Sequence, residues 1–184
     1  MTDLAWGTLS APVGRLSVGC GQAGVSQIRW GYPPGGPRPL EAAGGPAAQQ
    51  CSAALRQVAE YFTGQRRQFE VPVDWSGMSR LQRQVLGVLL DTVGYGETVS
   101  YGTLARRAHI DGRIASLPAR AIGRIMGSNP IPVIVPCHRV VAADGLGGYS
   151  GGNGGNGLEV KRWFLSFEGA LPPELDFSLA SGKV

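Results

Sequence analysis

The chain has 184 residues, a formal net charge of +4, 43% hydrophobic residues and 16% charged residues. This composition is typical of a folded domain with a hydrophobic core, and it excludes an intrinsically disordered chain. No apolar run approaches the length of a membrane-spanning helix, and the N-terminus lacks the basic start and apolar stretch of a secretory signal, so we expect a cytoplasmic protein.

Residues 1–76 predict a small α/β module. Three short alternating segments separated by glycine-containing turns predict antiparallel strands at 4–9, 15–20 and 25–30. The Gly- and Pro-rich stretch 31–46 predicts a loop. Apolar residues then recur at helical spacing from Cys51 to Phe62, with Gly64 as a stop signal, and a short extended segment is expected at 71–75.

Residues 77–170 predict a mainly helical second domain, followed by a tail at 171–184. Ser79 is a candidate N-cap for a helix with an apolar stripe, and Ser100 is a candidate cap for the next helix. Pro118 suits the first turn of a third helix, which Gly127 ends. Two short helices, the second carrying outward arginines, indicate a helix-turn-helix.

The last part of this domain combines an apolar run with a glycine-rich stretch. Residues 131–135 predict a buried strand that leads to Cys137, and residues 147–157 are glycine-rich. A final helix is expected to place Leu158, Arg162 and Leu165 on one side and to end at Glu168 and Gly169.

Positive charge is concentrated in the predicted helix-turn-helix region. Six arginines lie between residues 100 and 140 against one acid, Asp111, which is the kind of charge cluster that a phosphate backbone attracts. On charge alone, a solvated basic face explains the cluster equally well. The arginines are Arg106, Arg107, Arg113, Arg120, Arg124 and Arg139.

The three cysteines are odd in number and lack paired spacing, which argues against both a disulfide framework and a zinc site. We therefore predict no metal and no cofactor. Cys20 and Cys51 fit buried apolar positions. Cys137 lies between a proline and a histidine and close to Arg139, where charge would favour a thiolate. The residues alone leave a nucleophilic and a structural role for Cys137 equally open.

Several motifs occur in an order that resembles the O6-alkylguanine-DNA alkyltransferase family. The resemblance covers residues 79–169 strongly and the N-terminal module only in its general pattern of strands and a helix. The motifs are Gly94-Tyr-Gly-Glu-Thr-Val-Ser-Tyr101, Ala119-Arg-Ala-Ile-Gly123, Asn129-Pro130, Pro136-Cys-His-Arg-Val-Val141, Tyr149-Ser-Gly-Gly152 and Glu168-Gly169.

The resemblance implies a ribonuclease-H-like α/β module followed by a winged helix-turn-helix domain. It also implies direct-reversal repair of double-stranded DNA, in which O6-alkylguanine, and by extension O4-alkylthymine, is flipped out of the duplex. The alkyl group then passes irreversibly to Cys137, so that each molecule acts once. The expected partner is lesion-containing duplex DNA, bound by a monomer; cooperative binding along DNA is left open.

The resemblance assigns roles to individual residues. Cys137 is the alkyl acceptor, His138 removes the thiol proton through a water, and Glu168 orients and charges that histidine. Asn129 is expected to buttress the active-site loop, and Tyr101 to protonate or hydrogen-bond the departing purine.

Further positions follow for the DNA and the flipped base. Arg120 is expected to enter the base stack and hold the gap that the flipped nucleotide leaves. The remaining DNA contacts are expected from Ser100, Tyr101, Ala119, Ala121 and Arg124. The base pocket is expected from Val135, Pro136, Val141, Tyr149 and Ser150.

Two insertions depart from the family pattern, at 109–117 between the DNA-binding helices and at 153–157 after the pocket loop. The first is expected to alter the angle of DNA contact, and the second to loosen the pocket wall.

Three rival interpretations remain: a non-catalytic lesion sensor, which would lack the cysteine, a Cys-His-Glu hydrolase, which would need an oxyanion hole, and a winged-helix transcription regulator.

Overall fold

The computed structural model describes residues 4–36, 44–112, 114, 117–152 and 154–171. All of the expected tail at 171–184 except its first residue, residues 37–43 of the first Gly- and Pro-rich stretch, and parts of both insertions lie outside these residues. Among the residues that are described, no helix combines the length and apolar character needed to cross a membrane.

The N-terminal module is a three-stranded antiparallel meander covered by one helix. The strands are β1 (Ala5–Ala11), β2 (Gly14–Gly21) and β3 (Gly24–Trp30), in that order across the sheet. Helix α1 (Gly45–Phe62) packs against β1 and β2 and buries Cys51 and Val58. The predicted strands and helix are therefore confirmed.

The described residues of the C-terminal domain form four α-helices and two very short strands. Helices α2 (Arg80–Thr92) and α3 (Tyr101–Arg107) begin after Ser79 and Ser100, and each serine accepts a backbone N–H in its own first turn. The predicted caps are therefore confirmed. The other elements are β4 (Val99–Ser100), α4 (Pro118–Gly127), β5 (Val140–Val141), parallel to β4, and α5 (Gly157–Phe167).

The strand predicted at 131–135 is wrong. These residues form a buried turn in which the Val135 N–H donates to the Ile131 carbonyl at 2.9 Å. Three prolines lie at 130, 132 and 136, and because proline has no N–H, a ladder of strand hydrogen bonds is not available to them. The continuous apolar character of residues 131–135 correctly predicted that they are buried. A segment that is buried on all sides, however, can be a turn as well as a strand.

Helix α5 buries only part of the side predicted to carry Leu158, Arg162 and Leu165. Leu158 is 53% exposed, whereas Val160, Phe164 and Leu165 are buried. Lys161 shares this inner face and is completely buried. The helix therefore faces the core with a lysine among its apolar residues.

An aromatic cluster joins the two domains. Tyr61 of α1 is fully buried and lies within about 6 Å, centroid to centroid, of five other rings. Through these contacts, α1 of the first module packs directly on α5 of the second. The neighbouring rings are those of Phe62, Phe69, Tyr95, Phe164 and Phe167.

Candidate active site

Cys137 lies at the wall of a pocket of about 450 Å³ that opens between α3 and α4. A volume of this size is within the range of small-molecule sites, about 300–1,000 Å³. The lining combines aromatic, small and basic side chains. It consists of Tyr101, Ala119, Arg120, Gly123, Met126, Gly127, Cys137, Gly148, Tyr149 and Ser150.

The Cys137 thiol is only slightly exposed and lies in the first turn of a 3₁₀ helix, Cys137–Arg139. Burial raises the pKa of the thiol, although the Asn129 side chain and the positive charge of Lys161 oppose that rise. The expectation that charge would favour a resting thiolate is therefore wrong, because desolvation dominates. Arg139 is directed elsewhere, so a base must remove the proton when the thiol reacts.

His138 is the group next to the thiol that can serve as this base. Its ring is fully buried and stacks on Phe164 at a centroid distance of 4.6 Å. Nε2 lies 3.0 Å from Oε1 of Glu168, which assigns the ring proton to Nε2 and leaves Nδ1 as an acceptor. Burial lowers the pKa of His138, so the ring is neutral near pH 7.

Nδ1 of His138 is buried and has no hydrogen-bonding partner among the described residues. An unpaired acceptor in the interior is costly unless a water or a substrate group reaches it. This orphan nitrogen suits the proposed relay through a water between the thiol and the imidazole.

The Glu168 carboxylate is surrounded by donors. Arg139 donates Nε to Oε2 and an Nη hydrogen to Oε1, each at 2.9 Å, and the Tyr61 hydroxyl donates to Oε1 at 2.7 Å. Burial alone would raise the pKa of this carboxyl, but the hydrogen bonds from His138 and Arg139 outweigh it and hold the pKa at about 2. Glu168 is therefore a permanent anion that orients the imidazole.

Asn129 shapes the turn that precedes the cysteine. Its amide Nδ2 donates to the Val135 carbonyl at 2.8 Å, and its Oδ1 accepts the Ile131 N–H at 3.0 Å. Between these anchors, Val133 has a φ of 76°, which is rare for a β-branched residue and persists only where the surroundings enforce it. The geometry fits the buttressing role expected for Asn129.

Lys161 is a buried cation that sequence analysis did not single out. Its ammonium donates to the carbonyls of Val140, at 2.6 Å, and Gly148, at 3.0 Å, on either side of the pocket loop. Burial lowers the pKa of Lys161 to about 8, and its charge acts on Cys137. A lysine on the apolar face of α5 was the signal that could have identified it.

Tyr101 lines the pocket from the start of α3, and its hydroxyl donates to the Gly148 carbonyl at 3.3 Å. Gly147 makes this approach possible, since its φ is +67° and a Cβ there would lie 2.8 Å from Cε2 of the tyrosine. Burial raises the pKa of Tyr101. The phenol therefore keeps its proton at neutral pH and is available as a donor.

The predicted base-pocket residues are only partly brought together. Tyr149 and Ser150 line the pocket, and the Tyr149 hydroxyl is buried near Cys137, whose charge contributes to raising the tyrosine pKa after burial itself. The Val135 carbonyl already accepts two bonds, from Asn129 and from the Cys137 N–H, so it is not free for a base.

Pro136 and Val141 do not line this pocket. The Pro136 carbonyl accepts the Arg139 N–H at 2.9 Å. Val141 instead borders a separate hollow of about 510 Å³ near Leu165. The contact of these two residues with a flipped base stays a prediction.

The predicted DNA contacts divide by exposure. Ala119, Arg120 and Arg124 are exposed on α4, with Arg120 at the rim of the pocket. Ala121 is buried against the core, so its side chain is not available to DNA. The Ser100 hydroxyl caps α3 by accepting the Thr103 N–H at 3.1 Å, and its contact with DNA stays a prediction.

Cys20 and Cys51 are fully buried in the N-terminal module, as predicted. The Cys51 thiol donates to the Val18 carbonyl at 3.3 Å. Within the described ranges, no group of three or more His, Cys, Asp or Glu side chains is placed to hold a metal.

Two family models match the chain in succession. Residues 4–75 match "6-O-methylguanine DNA methyltransferase, ribonuclease-like domain", and residues 80–170 match "6-O-methylguanine DNA methyltransferase, DNA binding domain". Together they cover both structural units described above.

Individual relatives agree with these models. The chain is 41% identical over 118 residues to a methylated-DNA–protein-cysteine methyltransferase of Mycolicibacterium paratuberculosis, covering 64% of each chain. It is 38% identical to a DNA base-flipping protein of Thermus thermophilus, covering 89% of this chain and 99% of the relative. The structure of Mycobacterium tuberculosis OGT in complex with DNA superimposes with a TM-score of 0.70 at 33% identity, covering 89% of this chain and 91% of that one.

Proposed function

The chain belongs to the 6-O-methylguanine DNA methyltransferase family, and on this premise we propose that it repairs alkylated DNA by direct transfer of the alkyl group to Cys137. The substrate is O6-alkylguanine in duplex DNA, with O4-alkylthymine as a related substrate. We also propose that the protein binds DNA as a monomer and acts in the cytoplasm. The observation that carries the proposal is the Cys137 thiol in the pocket wall, with the buried His138–Glu168 pair behind it.

The lesion must leave the helix before the thiol can reach it. An O6-alkyl carbon inside a duplex is inaccessible, and flipping the nucleotide out costs roughly a few kcal/mol. Arg120 stands at the pocket rim on the exposed face of α4, where it can fill the vacated position in the stack. Its guanidinium offsets part of the cost by contacting the base that has lost its partner.

The chemical step is a displacement at a saturated carbon. Nδ1 of neutral His138 takes the thiol proton through a water, and Glu168 stabilises the imidazolium that forms. The Cys137 sulfur then bonds to the alkyl carbon as the carbon–O6 bond breaks. The electron pair of the broken carbon–O6 bond passes to the purine. Tyr101 donates the proton that neutralises the departing guanine, and the proton held by His138 then returns to the tyrosinate through water.

The product explains why the reaction happens once. A thioether carries no carbonyl for water to attack, and its carbon–sulfur bond is not hydrolysed at neutral pH. Each molecule is therefore consumed by one lesion. A hydrolase would use the same Cys-His-Glu group repeatedly, so turnover separates the two functions.

The experiment is an intact-mass measurement after incubation with a duplex containing one O6-methylguanine. We expect a stoichiometric mass increase equal to a methyl group replacing a hydrogen, located on Cys137 and absent in Cys137→Ser. Multiple turnovers, or tight binding without a mass change, would overturn the proposal. The second outcome would favour a lesion-binding role, which the name of the Thermus thermophilus relative makes the main alternative.

A further inference from the structure

Four large apolar side chains among the described residues are at least half exposed. Two of them, Ile114 at 52% and Leu117 at 50%, lie three residues apart in the segment between α3 and α4. The other two are isolated: Tyr32 lies under the Arg15 guanidinium at 4.2 Å, and Leu158 lies near the start of α5. Ile114 and Leu117 are therefore the two exposed aliphatic residues that lie close together along the chain.

Leu117 is continuous with the basic face of α4. It is the residue immediately before the helix, and its carbonyl accepts the Ala121 N–H at 3.0 Å. Positions three and seven residues later fall on the same side of a helix, and these are Arg120 and Arg124, both exposed. An exposed leucine thus heads a row that continues with two guanidinium groups.

Ile114 extends the same surface toward α3. Its N–H donates to the Asp111 carbonyl at 3.1 Å, and its side chain borders a shallow cleft of about 460 Å³ together with Arg106 and His109. Asp111, also at this cleft, is the single acid between residues 100 and 140. At this cleft Arg106 and Asp111 balance each other, so the net positive charge near the apolar pair comes from the exposed Arg120 and Arg124 on α4.

The small apolar area and the neighbouring arginines favour duplex DNA as the partner that binds at Ile114 and Leu117. Two half-exposed aliphatic side chains are far too small for a stable protein–protein interface, which buries about 1,200 Å² or more. Duplex DNA needs no large apolar area, because neutralised phosphates supply most of the affinity. Leucine and isoleucine side chains pack well against deoxyribose and base edges where arginines hold the backbone.

Resting on the proposed function, we propose that Ile114 and Leu117 form an apolar contact with duplex DNA beside Arg120. The DNA-binding surface then reaches beyond the lesion pocket, from Arg120 on α4 to Leu117 and Ile114. The contact adds affinity for duplexes with and without a lesion, since it touches nucleotides that are not flipped.

The test compares the double variant Ile114→Ser/Leu117→Ser with Leu158→Ser, an equally exposed residue outside this surface. Fluorescence anisotropy would measure dissociation constants for an undamaged and an O6-methylguanine duplex at several salt concentrations. We expect the double variant to bind both duplexes about tenfold more weakly, with an unchanged salt slope because no phosphate contact is lost. Leu158→Ser should bind like the unmodified protein.

Three results would overturn the inference: unchanged affinity in the double variant, equal weakening in the Leu158→Ser control, or a reduced salt slope. Transfer from a free O6-alkylguanine base, which needs no duplex, should keep its rate in both variants and would show that the Cys137 pocket is intact. Failure of the unmodified protein to take an alkyl group from damaged DNA would refute the proposed function instead. The binding comparison would still decide the role of Ile114 and Leu117.

Discussion

Tyr61 connects the first module to the buried carboxylate of the second by a hydrogen bond of 2.7 Å to Glu168. Tyr61→Phe removes this hydroxyl and keeps the ring in its aromatic cluster. Hydrogen bonds to charged groups contribute about 1.5–3 kcal/mol, so we expect the free energy of unfolding to fall by about 2 kcal/mol at pH 7. Equilibrium unfolding in urea, followed by tryptophan fluorescence, would measure the change.

The pH dependence of the lost unfolding free energy distinguishes a hydrogen bond to a charged carboxylate from one to a neutral acceptor. The pKa of Glu168 is lowered in the folded protein from 4.5 to about 2. A depressed carboxyl pKa contributes stability that is present above pH 4.5 and lost as the pH falls through the folded value. Removing a donor raises the folded pKa of Glu168. The destabilisation in Tyr61→Phe should therefore be constant above pH 4.5 and narrow as the pH falls toward 2.

Tyr95→Phe is the matched control, because the Tyr95 hydroxyl donates to a neutral acceptor, the Phe167 carbonyl, at 3.2 Å. The two rings lie in the same cluster, with centroids 6.1 Å apart. We expect a loss of about 1 kcal/mol that does not change with pH in this range. The reasoning is refuted if Tyr61→Phe behaves like this control in both the size and the pH dependence of its loss.

Three further outcomes follow from the site. Burial lowers the pKa of His138 below 6.5, so the rate of alkyl transfer in single-turnover assays should be constant from neutral pH down to 6.5 and decline only below it. If the rate falls to half its plateau at a pH above 6.5, a neutral imidazole base is contradicted. Lys161→Met leaves the buried Val140 carbonyl without its donor and removes one of two donors to the Gly148 carbonyl, so it should cost about 1–3 kcal/mol of stability and slow the reaction of the Cys137 thiol with iodoacetamide. Gly147→Ala forces a Cβ against Tyr101 at a φ of +67°, and should cost about 1–3 kcal/mol in thermal or urea unfolding. Gly148→Ala, where a Cβ meets nothing within 4 Å, is its control and should change little.

Local signals predicted most of the secondary structure. The caps at Ser79 and Ser100 and the helix start at Pro118 are short-range effects, because each depends on backbone groups within one turn. The meander likewise follows from alternation and glycine turns between strands that are neighbours in the chain. The turn at 131–135 was not predictable from its apolar character, since Asn129 and three prolines decide its course.

For the site, motif order identified Cys137 and the residues expected to act with it. It did not reveal which side chains surround Glu168, because Tyr61 lies 107 residues away in sequence. Nor did it separate exposed from buried positions on α4, where Ala121 turned inward beside the exposed Arg120. The contact between Tyr61 and Glu168 and the burial of Ala121 both depend on how helices α1 and α4 are oriented against the rest of the molecule.

Cys137 illustrates the division between what the sequence determines and what the fold decides. The order of motifs by itself identified the family and predicted both the acceptor residue and the histidine beside it, because these are properties of neighbours along the chain. Only the tertiary structure decided the ionisation state of the thiol. Burial favours the neutral form, while Asn129 and Lys161 oppose it from other elements, and a balance between desolvation and distant charges exists only once the chain has folded.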